Sequence, residues 1–186
     1  MIAMTRPTEL SAKRLTLRPF QAGDVEDALA YRNDPEFARF LVHIPQPFTR
    51  SDADAFVALN MSEPWDRSPT FAIVLNETVI GTVNLEVKTQ QRSATLGYAI
   101  GRMWWNKGFA TEAARAALGW GIEAFRLVRV QAATDRRNAR SQRVLEKLGM
   151  QRQGLSVRDF VDRDGASVVE VVYTLEIPCD SGRPGA

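Results

Sequence analysis

The sequence has few of the residues that build metal sites and disulfide frameworks. Its 186 residues include one cysteine, Cys179, and one histidine, His43. A lone cysteine cannot form a disulfide within the chain, and these two residues are too few for a zinc site made of Cys and His ligands. We therefore expect no metal cofactor, and we expect the reducing cytoplasm as the protein's location.

Long apolar runs and a strong charge of one sign are also missing. No run approaches the roughly 18 residues that a membrane-spanning helix needs, and residues 1–10 lack the apolar centre of a signal peptide. The net charge is only +2. That is too small to indicate nucleic acid or a membrane as a partner, so we expect neither.

The common glycine motifs for nucleotide phosphates are absent as well. The sequence contains neither the Walker pattern nor the Gly-x-Gly-x-x-Gly fingerprint. A nucleotide-binding α/β protein is therefore a remote alternative. With 45% hydrophobic and 25% charged residues, the composition is typical of a globular domain.

Hydrophobic periodicity predicts one domain over residues 10–177, with residues 1–9 and 178–186 as flexible tails. The predicted strands are 13–20, 70–75, 79–86, 94–100, 127–134, 151–161 and 166–177, and the predicted helices are 23–33, 51–61, 111–125 and 138–148. This order predicts an α+β (mixed α/β) fold with a mostly antiparallel sheet of about seven strands and four helices. The fourth and fifth strands flank a helix and are expected to run parallel.

Residues 104–112, between the fourth strand and the next helix, have the features of an anion site. Gly108 and Ala110 remove side-chain bulk beside the first N–H groups of the helix, and Lys107 adds a positive charge. Unpaired N–H groups at a helix N-terminus attract phosphate. A strand–helix turn with a packing glycine explains the same residues, and the spacing alone leaves both interpretations open.

The helix over 138–148 has a polar start on an apolar face. Asn138, Ser141, Leu145 and Leu148 share one helical face, and the two leucines indicate that it points inward. An inward Asn and Ser need hydrogen-bond partners. Asn138 is either the N-cap or a ligand contact, and Ser141 is either a filler hydroxyl or a ligand contact. The nearby arginines, which either face solvent or surround a polyanion, are Arg136, Arg137, Arg140 and Arg143.

Taken together, these segments resemble the GNAT superfamily of N-acetyltransferases, and within it the branch of ribosomal-protein N-terminal acetyltransferases. The segments that carry the resemblance are 13–20, 96–100, 105–113, 138–141 and 145–150. They span nearly the whole of 10–177 in the family's order. The sequence departs from the family at Trp105, where Gln or Arg is usual, and at Thr95, where many relatives have a Glu that is one candidate base.

The resemblance implies that acetyl-CoA, as cosubstrate, lies in a wedge between splayed fourth and fifth strands. Its pantetheine arm would pair with the backbone at Tyr98, Ala99 and Ile100, as an added strand does. The residues implied for the pyrophosphate are Asn106, Lys107, Gly108, Phe109, Ala110 and Thr111. The residues implied on the second CoA-binding helix, which is the predicted helix over 138–148, are Asn138, Ser141 and Arg143.

The family also implies direct attack by the amine within a ternary complex. Such a transfer needs a polarised carbonyl, a proton acceptor for the amine and a partner for the leaving thiolate. We expect a backbone N–H near Ala99 at the carbonyl and Ser141 beside the sulfur.

A carboxylate on an apolar strand face has a raised pKa, which suits a base. Asp159 alternates with Leu155, Val157 and Val161 and is therefore the first candidate. Glu170 is the second candidate, and Glu86 is the third.

The acceptor amine is expected between residues 40–48 and 158–165. A protein N-terminus is the first hypothesis, and a small-molecule amine, such as an antibiotic or a metabolite, is the alternative. A non-catalytic acyl-CoA-binding module is a third hypothesis. His43 receives no role. A homodimer is possible, because Trp104, Trp105 and Trp120 lie near one helix and suit an interface.

Overall fold

The computed structural model describes residues 7–178, so Cys179 and most of both predicted tails lie outside the described residues. The strands are β1 Leu10–Ser11, β2 Thr16–Arg18, β3 Thr70–Leu75, β4 Thr78–Lys88, β5 Ser93–Ile100, β6 Arg129–Asp135, β7 Gln151–Val161 and β8 Ser167–Glu176. The α-helices are α1 Val25–Arg32, α2 Pro35–Ala38, α3 Arg50–Ser62, α4 Phe109–Phe125 and α5 Ala139–Lys147.

One sheet contains all eight strands in the order β1-β2-β3-β4-β5-β6-β8-β7. Only β5 and β6 pair in parallel, and the other neighbours are antiparallel. The predicted mixed fold with a mostly antiparallel sheet is therefore confirmed. The described residues contain one strand and one helix more than expected, because β1 has two residues and α2 has four. Elements this short leave no periodic pattern.

The predicted first strand over 13–20 is instead a tight hairpin. Ala12 N–H donates to Leu15 O at 2.8 Å, which turns the chain so that Leu10 pairs with Leu17. β1 forms the edge of the sheet, and β2, the part of the predicted strand that is confirmed, pairs with β3. The turn places Arg14 outside the sheet, beside the N-terminus of α4.

Hydrophobic side chains cover both faces of the sheet. The larger core packs α4 against β3, β4 and β5, and the smaller core packs α1 and α3 on the opposite face. Small residues bring α4 close to the sheet, since a Cβ on Gly121 would lie 2.4 Å from Leu85 Cδ1. Ala113, Ala114 and Ala117 are buried on the same helix. This close approach fixes the start of α4 against the edge of β5.

The tryptophans pack within their own domain. Trp120 contacts Trp65 and Phe71 edge to face, with ring centroids 6.0 and 5.3 Å away. Trp105 Nε1 donates to Ile100 O, and Trp104 packs against both cores. These contacts account for the three half-buried tryptophans without a second protomer. The homodimer itself stays a prediction, which light scattering of the 20.8 kDa chain can check.

Candidate active site

A gap opens between β5 and β6 where their pairing ends. Three residue pairs join the strands, from Ser93 with Arg129 to Thr95 with Gln131. Beyond these pairs, β5 continues to Ile100 and β6 continues to Asp135, but the two strands no longer pair with each other. The splay that the family resemblance implied for the fourth and fifth predicted strands is confirmed here.

The backbone groups of Tyr98 and Ile100 point into this gap. In a strand, neighbouring residues direct their N–H and C=O groups to opposite sides. Gly101 N–H donates to Ile80 O on β4, whereas Arg92 O accepts from Val128 N–H on the β6 side. The even-numbered residues of β5 therefore face β6. Ala99 faces β4, so the expected backbone donor at the thioester moves from Ala99 to Tyr98 or Ile100.

The hydroxyl groups of Tyr98 and Ser141 meet beside the gap. Tyr98 Oη lies 2.8 Å from Ser141 Oγ and donates to Ser141 O at 3.1 Å. Burial raises the pKa of Tyr98 to about 12, although its hydrogen bond with Ser141 opposes the rise. The phenol is therefore protonated throughout the physiological range and remains a hydrogen-bond donor.

Asn138 is the N-cap of α5, which confirms one of the two interpretations of this residue. Its Oδ1 accepts from Ser141 N–H at 3.1 Å, so the cap also fixes where Ser141 begins the helix. Asn138 and Ser141 are half-buried and Leu145 is buried, as the inward face requires. Arg143 is exposed farther along α5.

The loop before α4 presents its backbone to solvent. Asn106 has φ +61° and Gly108 has φ +82°, and residues 106–108 are exposed. The helix begins at Phe109, two residues earlier than predicted, with Gly108 as an N-cap that offers no side-chain acceptor. Phe109 is buried, so it contributes only its N–H group here. This arrangement suits an anion bound by main-chain amides.

Two arginines that sequence reasoning did not assign border this loop. Arg14 bonds Glu112 in the first turn of α4 and donates to Lys107 O at 3.0 Å. Arg140 stacks on Trp105, with its guanidinium carbon 4.7 Å from the ring centroid. Trp105, the departure from the family pattern, thus links the loop to the start of α5. The sequence offers no signal for these contacts.

The candidate bases lie in different surroundings. Glu170 is 18% exposed and pairs with Arg158 at 3.6 Å. It stands in register with Asp135 at the end of β6. Glu86 is exposed and lies in register with Thr95 on the neighbouring strand.

The environment predicted for Asp159 is wrong. Asp159 is exposed, and its neighbours Leu155 and Val157 are 58% and 68% exposed. The reason is that β7 is an edge strand whose apolar side chains are left uncovered. Its catalytic role stays a prediction without the burial that motivated it.

Charged contacts join the turn of the final hairpin to the segment between β6 and α5. Arg137 bonds Asp135 on β6 at 2.7 Å and Asp162 in the hairpin turn at 2.8 Å. Although burial alone would raise the pKa of Asp135, the bonds from Arg137 lower it. Backbone N–H groups, first that of Ala166, together with Arg137 lower the pKa of Asp162.

On the same side, the side chain of Arg163 donates to Leu41 O and Ile44 O. Partial desolvation, together with Arg32 and Arg163, lowers the pKa of His43. The two segments expected to border the acceptor are therefore in contact. Within residues 7–178, no group of acidic, His or Cys side chains is arranged to hold a metal ion, and no helix in this part is long and apolar enough to cross a membrane.

Comparison with known proteins agrees with this arrangement. The acetyltransferase (GNAT) domain family matches residues 14–151. An uncharacterized N-acetyltransferase, p20 of Bacillus licheniformis, is 30% identical over 169 residues, which are 89% of this chain and 94% of that protein. The chain belongs to the GNAT acetyltransferase family and is an acyl-CoA-dependent N-acetyltransferase. Enzymes of this family take their acetyl group from acetyl-CoA.

Two solved structures share the fold at lower identity. The Microcin C7 self immunity acetyltransferase MccE, solved with acetyl-CoA and AMP, superposes with a TM-score of 0.83 at 17% identity, covering 95% of this chain and 100% of that one. The ribosomal-protein-S5-alanine acetyltransferase of Vibrio fischeri has a TM-score of 0.77 at 20% identity, covering 96% and 100%. The names of these relatives cover both a protein acceptor and a self-immunity function.

Proposed function

We propose that this enzyme acetylates the N-terminal α-amine of a protein, with acetyl-CoA bound in the gap between β5 and β6. The hydroxyl pair of Tyr98 and Ser141 beside that gap carries the proposal. The gap lies between the exposed loop before α4 and the start of α5. The pyrophosphate is assigned to the backbone of residues 106–111, and the pantetheine arm to the open backbone edge of β5.

Transfer proceeds by direct attack of the amine on the thioester carbonyl. The new C–N bond forms as the C–S bond breaks, and Ser141 Oγ donates a hydrogen bond to the departing thiolate. Tyr98 holds Ser141 in position for this contact. The amine's proton passes to a carboxylate and then to water, and the thiolate takes a proton from water.

Glu170 is our choice for that carboxylate. It is less exposed than Asp159, and it lies on the sheet face that carries Thr95, Gln131 and Asp135. Gln131 and Asp135 are four residues apart on β6, so their side chains share that face. The family resemblance implies that many relatives have a Glu at the Thr95 position, on the same face. A base at Glu170 would thus lie on the same face of the sheet as a Glu at position 95, but on β8 instead of β5.

A protein acceptor is favoured by the shape of this face. A surface pocket lies beside the paired part of β5 and β6, and its lining includes Ser93, Thr95 and Gln131. We assign to this pocket the residues that follow the amine of an extended peptide. We place the reaction in the cytoplasm, where ribosomal proteins and acetyl-CoA occur together.

CoA release against paired acceptors tests the proposal. Each peptide of a panel with varied N-termini is compared with the same peptide blocked at its α-amine and with free small amines. Turnover with free peptides and none with blocked ones supports a protein N-terminus. Turnover with small amines alone would make the enzyme a small-molecule acetyltransferase. Saturable acetyl-CoA binding without any turnover would favour a non-catalytic binding module.

A further inference from the structure

Arg14 contacts Lys107, Phe109 and Glu112, although 93 or more positions separate it from them in sequence. Its Nη1 donates to Lys107 O at 3.0 Å, and its Nε donates to Glu112 Oε2 at 2.8 Å. Its guanidinium lies over the Phe109 ring, 4.4 Å from the centroid. A Cβ on Gly108 would lie 3.4 Å from Nη2. One side chain therefore spans the turn that starts α4.

The bond to Lys107 O sets the direction of the next amide. In a trans peptide, the C=O of one residue and the N–H of the following residue point in opposite directions. Since Lys107 C=O points at Arg14, the Gly108 N–H points away from it. The loop needs such support because it has positive φ at Asn106 and at Gly108.

The bonds to Glu112 hold a carboxylate away from the open loop. Glu112 lies in the first turn of α4, where a free carboxylate would compete for the helix N-terminus and repel a phosphate. Arg14 occupies both of its oxygens, through the backbone N–H at Oε1 and the side chain at Oε2. Glu112 is 13% exposed and Arg14 is 43% exposed, so the ion pair is partly shielded from solvent.

We propose that Arg14 is a positioning residue for the pyrophosphate of acetyl-CoA. It orients the Gly108 amide outward and neutralises Glu112, so that the loop receives the anion with its amides directed at it. This inference rests on the proposed binding of acetyl-CoA at the loop, and it adds to that site a residue from the far end of the chain.

The test separates ligands that have the pyrophosphate from those that lack it. Dissociation constants for acetyl-CoA and kcat/KM for S-acetyl-pantetheine are measured in the wild type and in Arg14→Gln. We expect acetyl-CoA binding to weaken about tenfold, the equivalent of one charge-assisted contact. We expect kcat/KM for S-acetyl-pantetheine, which never reaches the loop, to change less than twofold.

A double variant tests the part played by Glu112. Arg14→Gln with Glu112→Gln removes the unneutralised carboxylate and should recover a measurable part of the lost affinity. A double variant no better than Arg14→Gln would overturn the neutralising role. The matched control is Arg50→Gln, because Arg50 is also an exposed partner of a carboxylate, Glu26, on a helix away from the loop.

Three results overturn the proposal: acetyl-CoA affinity in Arg14→Gln within twofold of the wild type, equal losses with both donors, or the same loss in Arg50→Gln. Failure of the wild type to bind acetyl-CoA would instead overturn the proposed function. If Arg14→Gln does not fold by circular dichroism, Arg14→Lys replaces it, because lysine keeps the charge but lacks the forked donors. A smaller loss with the same selectivity for acetyl-CoA is expected for that variant, because lysine still neutralises Glu112.

Discussion

Tyr98 Oη lies 2.8 Å from Ser141 Oγ, and this contact connects β5 to α5 across the cleft. The two residues are 43 positions apart. The Tyr98 hydroxyl, which stays protonated, lies within hydrogen-bond distance of the Ser141 hydroxyl and restricts its orientation. A serine in a helix has several rotamers available, so this partner reduces the alternatives.

Removing the Ser141 hydroxyl should therefore affect turnover rather than binding. In Ser141→Ala, we expect kcat to fall by about 10², with the dissociation constant for acetyl-CoA within twofold of the wild type. Tyr98→Phe, which keeps the ring, should cost less. The double variant should resemble Ser141→Ala alone, because both residues act through one group. An additive loss in the double variant would show that they act separately.

The choice between the carboxylates is tested by pH profiles of kcat/KM. We expect Glu170→Gln to lower kcat by about 10² and to remove the acidic limb of the profile. Asp159→Asn should leave kcat within twofold of the wild type and the acidic limb unchanged, since this side chain is exposed on an edge strand. The reverse pattern would restore Asp159 as the base. A loss confined to Glu86→Gln would move the base to β4.

Gly108→Ala tests the backbone conformation of the loop. An L-residue at φ +82° is strained by about 1–2 kcal/mol. We expect weaker acetyl-CoA binding and a melting temperature lower by roughly 2–8 °C. The matched control is Gly119→Ala on the same helix, where an added Cβ meets nothing within 4 Å. That change should stabilise the protein, and equal effects at both glycines would contradict the strain argument.

The ion pairs of Arg137 predict how stability depends on pH. Arg137 lowers the folded-state pKa of Asp135 and contributes to lowering that of Asp162. Their stabilising contribution is therefore present above the unfolded pKa of about 3.9, and it is lost as pH falls through the lower folded-state values. Arg137→Gln should melt below the wild type at pH 7, and the difference should shrink as pH falls from 5 to 3. Melting curves across that range check it, and a constant difference would contradict the linkage.

Local patterns in the sequence are sufficient for four of the five α-helices of the described residues and for most strands. Thr49 caps α3, a position where Thr is favoured, and Gly149 follows α5 with φ +83°, as a helix stop does. The order of elements and the family motifs also placed the loop before α4. These features depend on residues close together in the chain, which is why the sequence reveals them.

Contacts between distant segments were not predictable in the same way. Asp159 looked buried because strand alternation does not tell whether a sheet face is covered, and nothing covers that face of β7 in the described residues. The N-cap role of Asn138 is known only from its bond with Ser141 N–H, and its contact with a ligand stays a prediction. The side-chain partner of Ser141 is on β5, and the loop's charged partner, Arg14, is near the start of the chain. The hydrophobic periodicity of the sequence does not indicate such contacts between distant residues.

The short pairing between β5 and β6 has a mechanical consequence. Three residue pairs form the seam between a five-stranded half-sheet, β1 to β5, and a three-stranded half-sheet, β6 to β8. A pantetheine arm lying along β5 would lengthen that seam and would act as a removable strand of the enzyme. Binding of the acetyl donor would then make the two half-sheets more rigid relative to each other. Release of CoA would restore the flexibility that admits the next molecule.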